Sequence, residues 1–256
     1  MASWATKRKL AYISIITVLA AVFVALPLYL SYYKAPSCSD RIQNQGELGI
    51  DCGGPCARLC QSAFLPPEVS WTKFEKVSEG IYNLGAYIIN PNINGAVVAA
   101  SYKFSLFDRD GILITEVPGT TIIPSHRNTL AFAASVSTQK RPVVRAIFEF
   151  TQPPLWQKSF DSLGGISIID KKYSEDKDGS SLEVFIQNNI LLAYNKIRLG
   201  AILYDDSDNA VGFSSTVIDA IAPGKKELAV FTWPLSRKGK VASIEILPVA
   251  TPILSR

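Results

Sequence analysis

"SYKFSLFDRDG" (residues 101–111) and "KIRLGAILYDDSDN" (residues 196–209) decide how this chain folds. In the first, Tyr102, Phe104 and Leu106 alternate with Lys103 and Ser105, the period of a strand with one buried face. In the second, Ile197, Leu199, Ala201 and Leu203 alternate with Lys196, Arg198 and Gly200. Each run ends in a polar turn, "DRDG" or "DDSDN", followed by further apolar residues, which predicts a hairpin at both places.

The two stretches belong to a longer repeat. "YIIN" ends at Asn90 and "FIQN" at Asn188; "FSLFD" ends at Asp108 and "AILYD" at Asp205. Pro124 and Phe132 match Pro223 and Phe231 at a slightly longer offset, and "AIFEF" (146–150) is echoed by "SIEI" (243–246). Landmarks kept in one order predict two copies of a unit of about 90 residues. Short strands with turns every ~8–12 residues make each copy a β-sandwich. The expected boundaries are 67–152 for the first sandwich, 153–165 for a linker marked by Pro153-Pro154 and Gly164-Gly165, and 166–256 for the second.

The repeated strand resembles the motif of the FxLYD domain family, related to the sandwiches of late-embryogenesis-abundant water-stress proteins. Phe104, Leu106 and Asp108 carry the likeness in the first copy, with Phe107 in place of tyrosine. Leu203, Tyr204 and Asp205 carry it in the second, with Ala201 in place of phenylalanine. The resemblance covers roughly residues 68–250. It implies immunoglobulin-like or fibronectin-like sandwiches, often exported and membrane-attached, with no catalytic residues to carry over.

Upstream, 21 residues (10–30) are free of charge, long enough for a hydrocarbon core of ~30 Å. Lys7, Arg8 and Lys9 precede them, and Tyr29, Tyr32 and Tyr33 close them. The expectation is a cytoplasmic segment 1–9 and a single transmembrane helix 10–33, with everything beyond it outside the cytoplasm. A cleaved signal peptide and lipoprotein processing at Cys38 are the competing readings, and all three export the rest of the chain. The net charge of +4 arises in residues 1–37, which hold four basic residues and no acid. The remainder is formally neutral, which excludes a nucleic-acid surface.

The segment 34–66 is expected to form a cysteine-rich collar. It holds all four cysteines, Cys38, Cys52, Cys56 and Cys60, spaced C-x13-C-x3-C-x3-C. In an exported chain they read as two disulfides, with three pairings open. The isolated Cys38 and the lack of a C-x-x-C pair make a zinc or redox centre the weaker reading. Asp40, Asn44, Glu47 and Asp51 are candidate calcium ligands, with turn capping as the competing role. The run "CSDRIQNQGELGIDCGGPCARLC" is similar to a recurrent DCGGPC-type motif of exported bacterial proteins, which implies an extracytoplasmic module.

His126 is the only histidine and has no nucleophile elbow, phosphate loop or zinc motif beside it. Asp108, Asp110, Asp205, Asp206 and Asp208 read as turn caps, with calcium as the sharper alternative. Trp71, Trp156 and Trp233 read as packing residues, and Arg237, Lys238 and Lys240 as a solvated basic turn. No cofactor is expected. The expected function is non-enzymatic: a membrane-anchored extracytoplasmic binding or scaffold protein of the cell envelope, with membrane lipid and an envelope or membrane protein as partners. An accessory subunit of a secretion, pilus or transport complex and a calcium- or small-ligand sensor are the alternatives.

Overall fold

The computed structural model describes residues 4–32, 37–58, 60–160, 163–177, 179–234, 241–251 and 253–254. The tyrosine expected at 33 and the basic turn with Arg237, Lys238 and Lys240 lie outside the described residues.

The chain opens with one 29-residue helix, long and apolar enough to cross a membrane, none of it buried against the rest of the protein. It comprises α1 (Trp4–Ala20), a π-helical turn (Ala21–Ala25) and α2 (Leu26–Tyr32). The helix starts before the apolar run, so Lys7, Arg8 and Lys9 are helical rather than part of a separate tail. Alanine, lysine, arginine and leucine are good helix formers and nothing there breaks the pattern. Arg8 lies over the Trp4 ring at 4.3 Å. At the π turn the Leu26 N–H donates to the Ala21 carbonyl five residues back. This widened turn directly precedes Pro27, whose ring crowds the preceding turn of a regular helix.

Beyond the segment 37–67, the named strands form antiparallel sheets. The first sandwich comprises β1 (Glu68–Ser78), β2 (Ile81–Ile89), β3 (Gly95–Phe107), β4 (Leu113–Ile123), β5 (Thr129–Ser137), β6 (Arg145–Phe150) and β7 (Gln157–Phe160). The second comprises β8 (Ile166–Glu175), β9 (Ser180–Asn188), β10 (Tyr194–Tyr204), β11 (Ala210–Ile221), β12 (Lys226–Trp233) and β13 (Ser243–Val249); β14 (Ile253–Leu254) follows. In the first, β1–β2–β5 faces a sheet with β3 paired to β4, β6 and β7. In the second, β8–β9–β12 faces β11–β10–β13. Apart from β7 and β14, the two topologies match strand for strand.

The cores follow the alternation. Leu84, Ala86 and Ile88 of β2 meet Tyr102, Phe104 and Leu106 of β3; Leu182, Val184 and Ile186 of β9 meet Leu199, Ala201 and Leu203 of β10. All but Ala86 and Ala201 are large apolar or aromatic side chains, each worth about 1.5–3 kcal/mol when fully buried.

Three expectations change. The stretch 153–165 is not a free linker: β7 pairs with the start of β3, Trp156 is in the first core, and Leu163 is in the second. The chain also returns, with β14 pairing Ile253 to Phe160 and Leu254 to Ser159, so the last strand extends the first sandwich. Phe132 and Phe231 are not equivalent either. The ladders set Phe132 opposite Gly85 and Val230 opposite Glu183, so Val230 is the counterpart of Phe132. A slip of one residue reverses the face of a strand. Phe231 accordingly fills the second core, whereas Phe132 points away from the first.

Phe132 belongs to a third apolar cluster, between the sandwiches. Tyr87 and Leu130 from the first pack with Ile202, Ala210, Phe213 and Leu247 from the second, flanked by Trp71, Ile89, Phe132 and Tyr204. Strands of the facing sheets cross. Along β11, Ala210 accepts a hydrogen bond from Lys73 on β1 while Phe213 covers Gly85 on β2.

Candidate functional site

The collar is ordered by sulfur and by carboxylates. Disulfides join Cys38 to Cys56 and Cys52 to Cys60, spanning 18 and 8 residues. They tie a segment too short to build its own core. Gly53 and Gly54 in "DCGGPC" have φ of +73° and +58°, and a Cβ on Gly54 would run into the Gly46 carbonyl.

The four calcium candidates lie here: the carboxylates of Asp40, Glu47 and Asp51 accept from the collar's own backbone, whereas the buried Asn44 Oδ1 has no hydrogen-bond partner among the described residues. Asp40 accepts from the N–H groups of Ser37 and Ile42 and from the Asn44 amide. These hydrogen bonds, the Asn44 one foremost, hold its carboxyl below the usual range. Asp51 takes the Arg41 N–H with both oxygens, and buried Glu47 takes the Asp51 N–H. Cys38, Glu47 and Cys56 put potential ligand atoms within 4.8 Å of one another, but those two sulfurs are bonded together and neither is a thiolate. The arrangement is that of turn caps.

The collar is docked rather than dangling. Arg58 bridges to Gln157, and the Lys158 N–H donates to the Ala57 carbonyl. Asn92 holds Leu65 by both its N–H and its carbonyl. Phe64 stacks on buried Trp156 at 5.5 Å. Pro66 and Pro67, between Leu65 and the start of β1, are thus held at both ends.

The family-like motif residues serve the sandwiches. Phe104, Leu106 and Leu203 are fully buried. Asp108 accepts from the N–H groups of Asp110 and Ile112, and Asp205 from those of Ser207 and Asn209. The same two-and-four spacing caps both hairpins. Backbone N–H donors foremost, from Ile112 and Asn209 respectively, keep both carboxyls below their ordinary range; Asp108 also pairs with Arg141. The repeated asparagines are equivalent as well. Asn90 donates to the Gly95 and Pro124 carbonyls, and Asn188 to those of Leu192 and Ile221.

His126 is exposed at a turn with φ of +61°. Trp156 and Trp233 are core residues, whereas Trp71 stacks on Tyr87 in the cluster between the sandwiches.

That seam is what sequence reading missed. Its polar centre is Glu245, which accepts from the Tyr87 hydroxyl at 2.9 Å and the Tyr204 hydroxyl at 2.8 Å, while Asn128 donates to Tyr87. Burial foremost, with the Glu245 carboxylate adding, pushes Tyr87 up to about 12 and raises Tyr204 as well. The signal was present in "LGAYII" (84–89) and "LGAILY" (199–204), strands apolar on both faces, as doubly covered strands are.

No family model and no curated protein matches the chain. Among solved structures it is similar to a β-glucuronidase from glycoside hydrolase family 2, at 11% identity and a TM-score of 0.21. The match covers 85% of this chain, which spans only 29% of that one. A second likeness, at 7% identity and a TM-score of 0.17, is to the N-terminal CBM22-1-CBM22-2 tandem domain of Paenibacillus barcinonensis Xyn10C, covering 72% of this chain and 85% of that one.

Proposed function

We propose that this chain is a membrane-anchored, extracytoplasmic binding or scaffold protein of the cell envelope, without catalytic activity. The observation that carries the reading is the order of parts. A solvent-facing apolar helix is followed directly by a disulfide-tied collar, and the collar is docked on the first of two sandwiches locked face to face. Disulfides belong to oxidising compartments, and the basic residues at the helix start favour a cytoplasmic N-terminus. The acidic turns, the repeated asparagines and the collar carboxylates are spent on holding the fold. Such a body presents loops and sheet faces at a set distance from the bilayer.

The test is fractionation of cells expressing the full chain, with mass determination of the N-terminus. The expected result is a protein that stays in the membrane pellet after alkaline carbonate and retains Trp4. Release as a soluble chain lacking the helix would instead establish a cleaved export signal.

A further inference from the structure

Beyond Phe132 the seam between the sandwiches opens into a cleft of about 450 Å³. The edge strands of the first sandwich form two of its walls, with Pro118 and Thr120 on β4 and Phe132 on β5. The second sandwich closes the third side with Arg198 of β10 and Ser215 of β11. The volume is that of a small-molecule site, and junctions between domains are where such sites preferentially occur.

Tyr102 reaches this cleft from inside the first core. It is only 5% exposed, and its ring packs against Phe104 and Phe148. Its ladder partner on β4 is Gly119, where a Cβ would come within 2.6 Å of the phenol oxygen. A side chain there would block the ring, whereas glycine lets the hydroxyl pass between the edge strands into the cleft. Among the described residues that hydroxyl has no hydrogen-bond partner. A phenol buried this deeply is normally paired. Arg198 lies close by: burial foremost raises the Tyr102 phenol, and the Arg198 charge works against that rise. The Arg198 side chain is exposed and has no ion pair or hydrogen bond among the described residues. Thr120 and Ser215 add hydroxyl donors, and no residue that lines the cleft is an acid. One guanidinium, a buried phenol donor and no carboxylate make a cleft complementary to an oxyanion. Phe132 and Pro118 give the same cleft an apolar wall, which a bare inorganic ion would leave unused.

We propose that this cleft is a binding site for a small organic carboxylate. The Arg198 guanidinium and the Tyr102 hydroxyl hold the carboxylate, and Phe132 and Pro118 flank its apolar body. This gives the binding reading a ligand class and is independent of where the helix lies, so its failure leaves the membrane test above untouched. The experiment is calorimetric titration of the full chain in detergent micelles, with the heat of micelles alone subtracted. The probes are 3-phenylpropionate, its uncharged amide and inorganic phosphate. Wild type is expected to take up one 3-phenylpropionate per chain with a Kd below about 1 mM, and the amide and phosphate about tenfold more weakly or worse. Arg198→Gln and Tyr102→Phe should each weaken 3-phenylpropionate binding about tenfold. Neither should lower the melting temperature, because neither polar group has a protein partner to lose. The absence of saturable 3-phenylpropionate binding up to about 10 mM, ten times that Kd, overturns the proposal. So does binding to which either variant is indifferent, or an amide bound as well as the acid. Phosphate bound as tightly as 3-phenylpropionate would make this an inorganic-anion site and overturn the assigned ligand class.

Discussion

Phe213 of the second sandwich lies across the bare backbone of Gly85 in the first, and a Cβ at Gly85 would come within 2.7 Å of the ring. The two sandwiches are therefore fitted to each other at atomic range, not strung on a flexible joint. Gly85→Leu is expected to push the faces apart, at about 1–3 kcal/mol for overpacking. Calorimetry should show one coupled transition in the wild type and two separated ones in the variant. A single unchanged transition would mean that the seam does not couple the domains.

The Tyr87–Glu245–Tyr204 cluster gives the seam a pH limit. Both phenols have raised values in the folded protein, against an ordinary 10.0. Below pH 10 they are neutral in folded and unfolded chains alike, and their contribution is complete. As pH climbs, the unfolded chain ionises first, so stability is lost from about pH 10 onward and through about 12 for Tyr87. Melting temperature should fall across that window. Tyr87→Phe with Tyr204→Phe should flatten the fall.

The strand pattern was legible because the core is built from residues two apart: Phe104 and Leu106, or Leu199, Ala201 and Leu203, declare their face. Phe132 was misread against Phe231 because similar residue type outweighed register, and only the ladder shows that one residue separates their faces. The stretch 153–165 read as a linker because its prolines hide a four-residue strand. Trp156, which anchors that strand, gives no local sign that it belongs to the first core. The seam was hidden for a related reason. Gly85 and Gly200 look like weak points in strands until a facing sheet explains why no side chain is allowed there.

Removing Cys38 and Cys56 together should loosen the collar while leaving the sandwiches folded. Closing a loop of ~15 residues is worth about 3 kcal/mol, and the 18-residue span of this bridge is similar. Proteolysis should then cut between residues 38 and 58 first, with β1–β13 intact. Loss of the whole fold would show that the collar nucleates the first sandwich. A chelator should leave the melting temperature unchanged, because the collar carboxylates are satisfied by backbone N–H groups.

Asp108→Ala and Asp205→Ala should each lower the melting temperature by removing a hairpin cap. Their folded carboxyls are depressed, so their contribution is full above the ordinary carboxylate range and fades as pH falls through it. The variants should differ from wild type at pH 7 and converge with it in acid. A constant difference across pH would assign the effect to packing instead.

The most direct test of an exported, disulfide-tied collar between an anchor and locked sandwiches is the state of its cysteines in living cells. Free thiols are alkylated before lysis, and the full chain is mapped without reduction. Peptides linking Cys38 to Cys56 and Cys52 to Cys60, with no alkylated cysteine, are the predicted result. Four alkylated cysteines would place the collar in a reducing compartment and contradict the account.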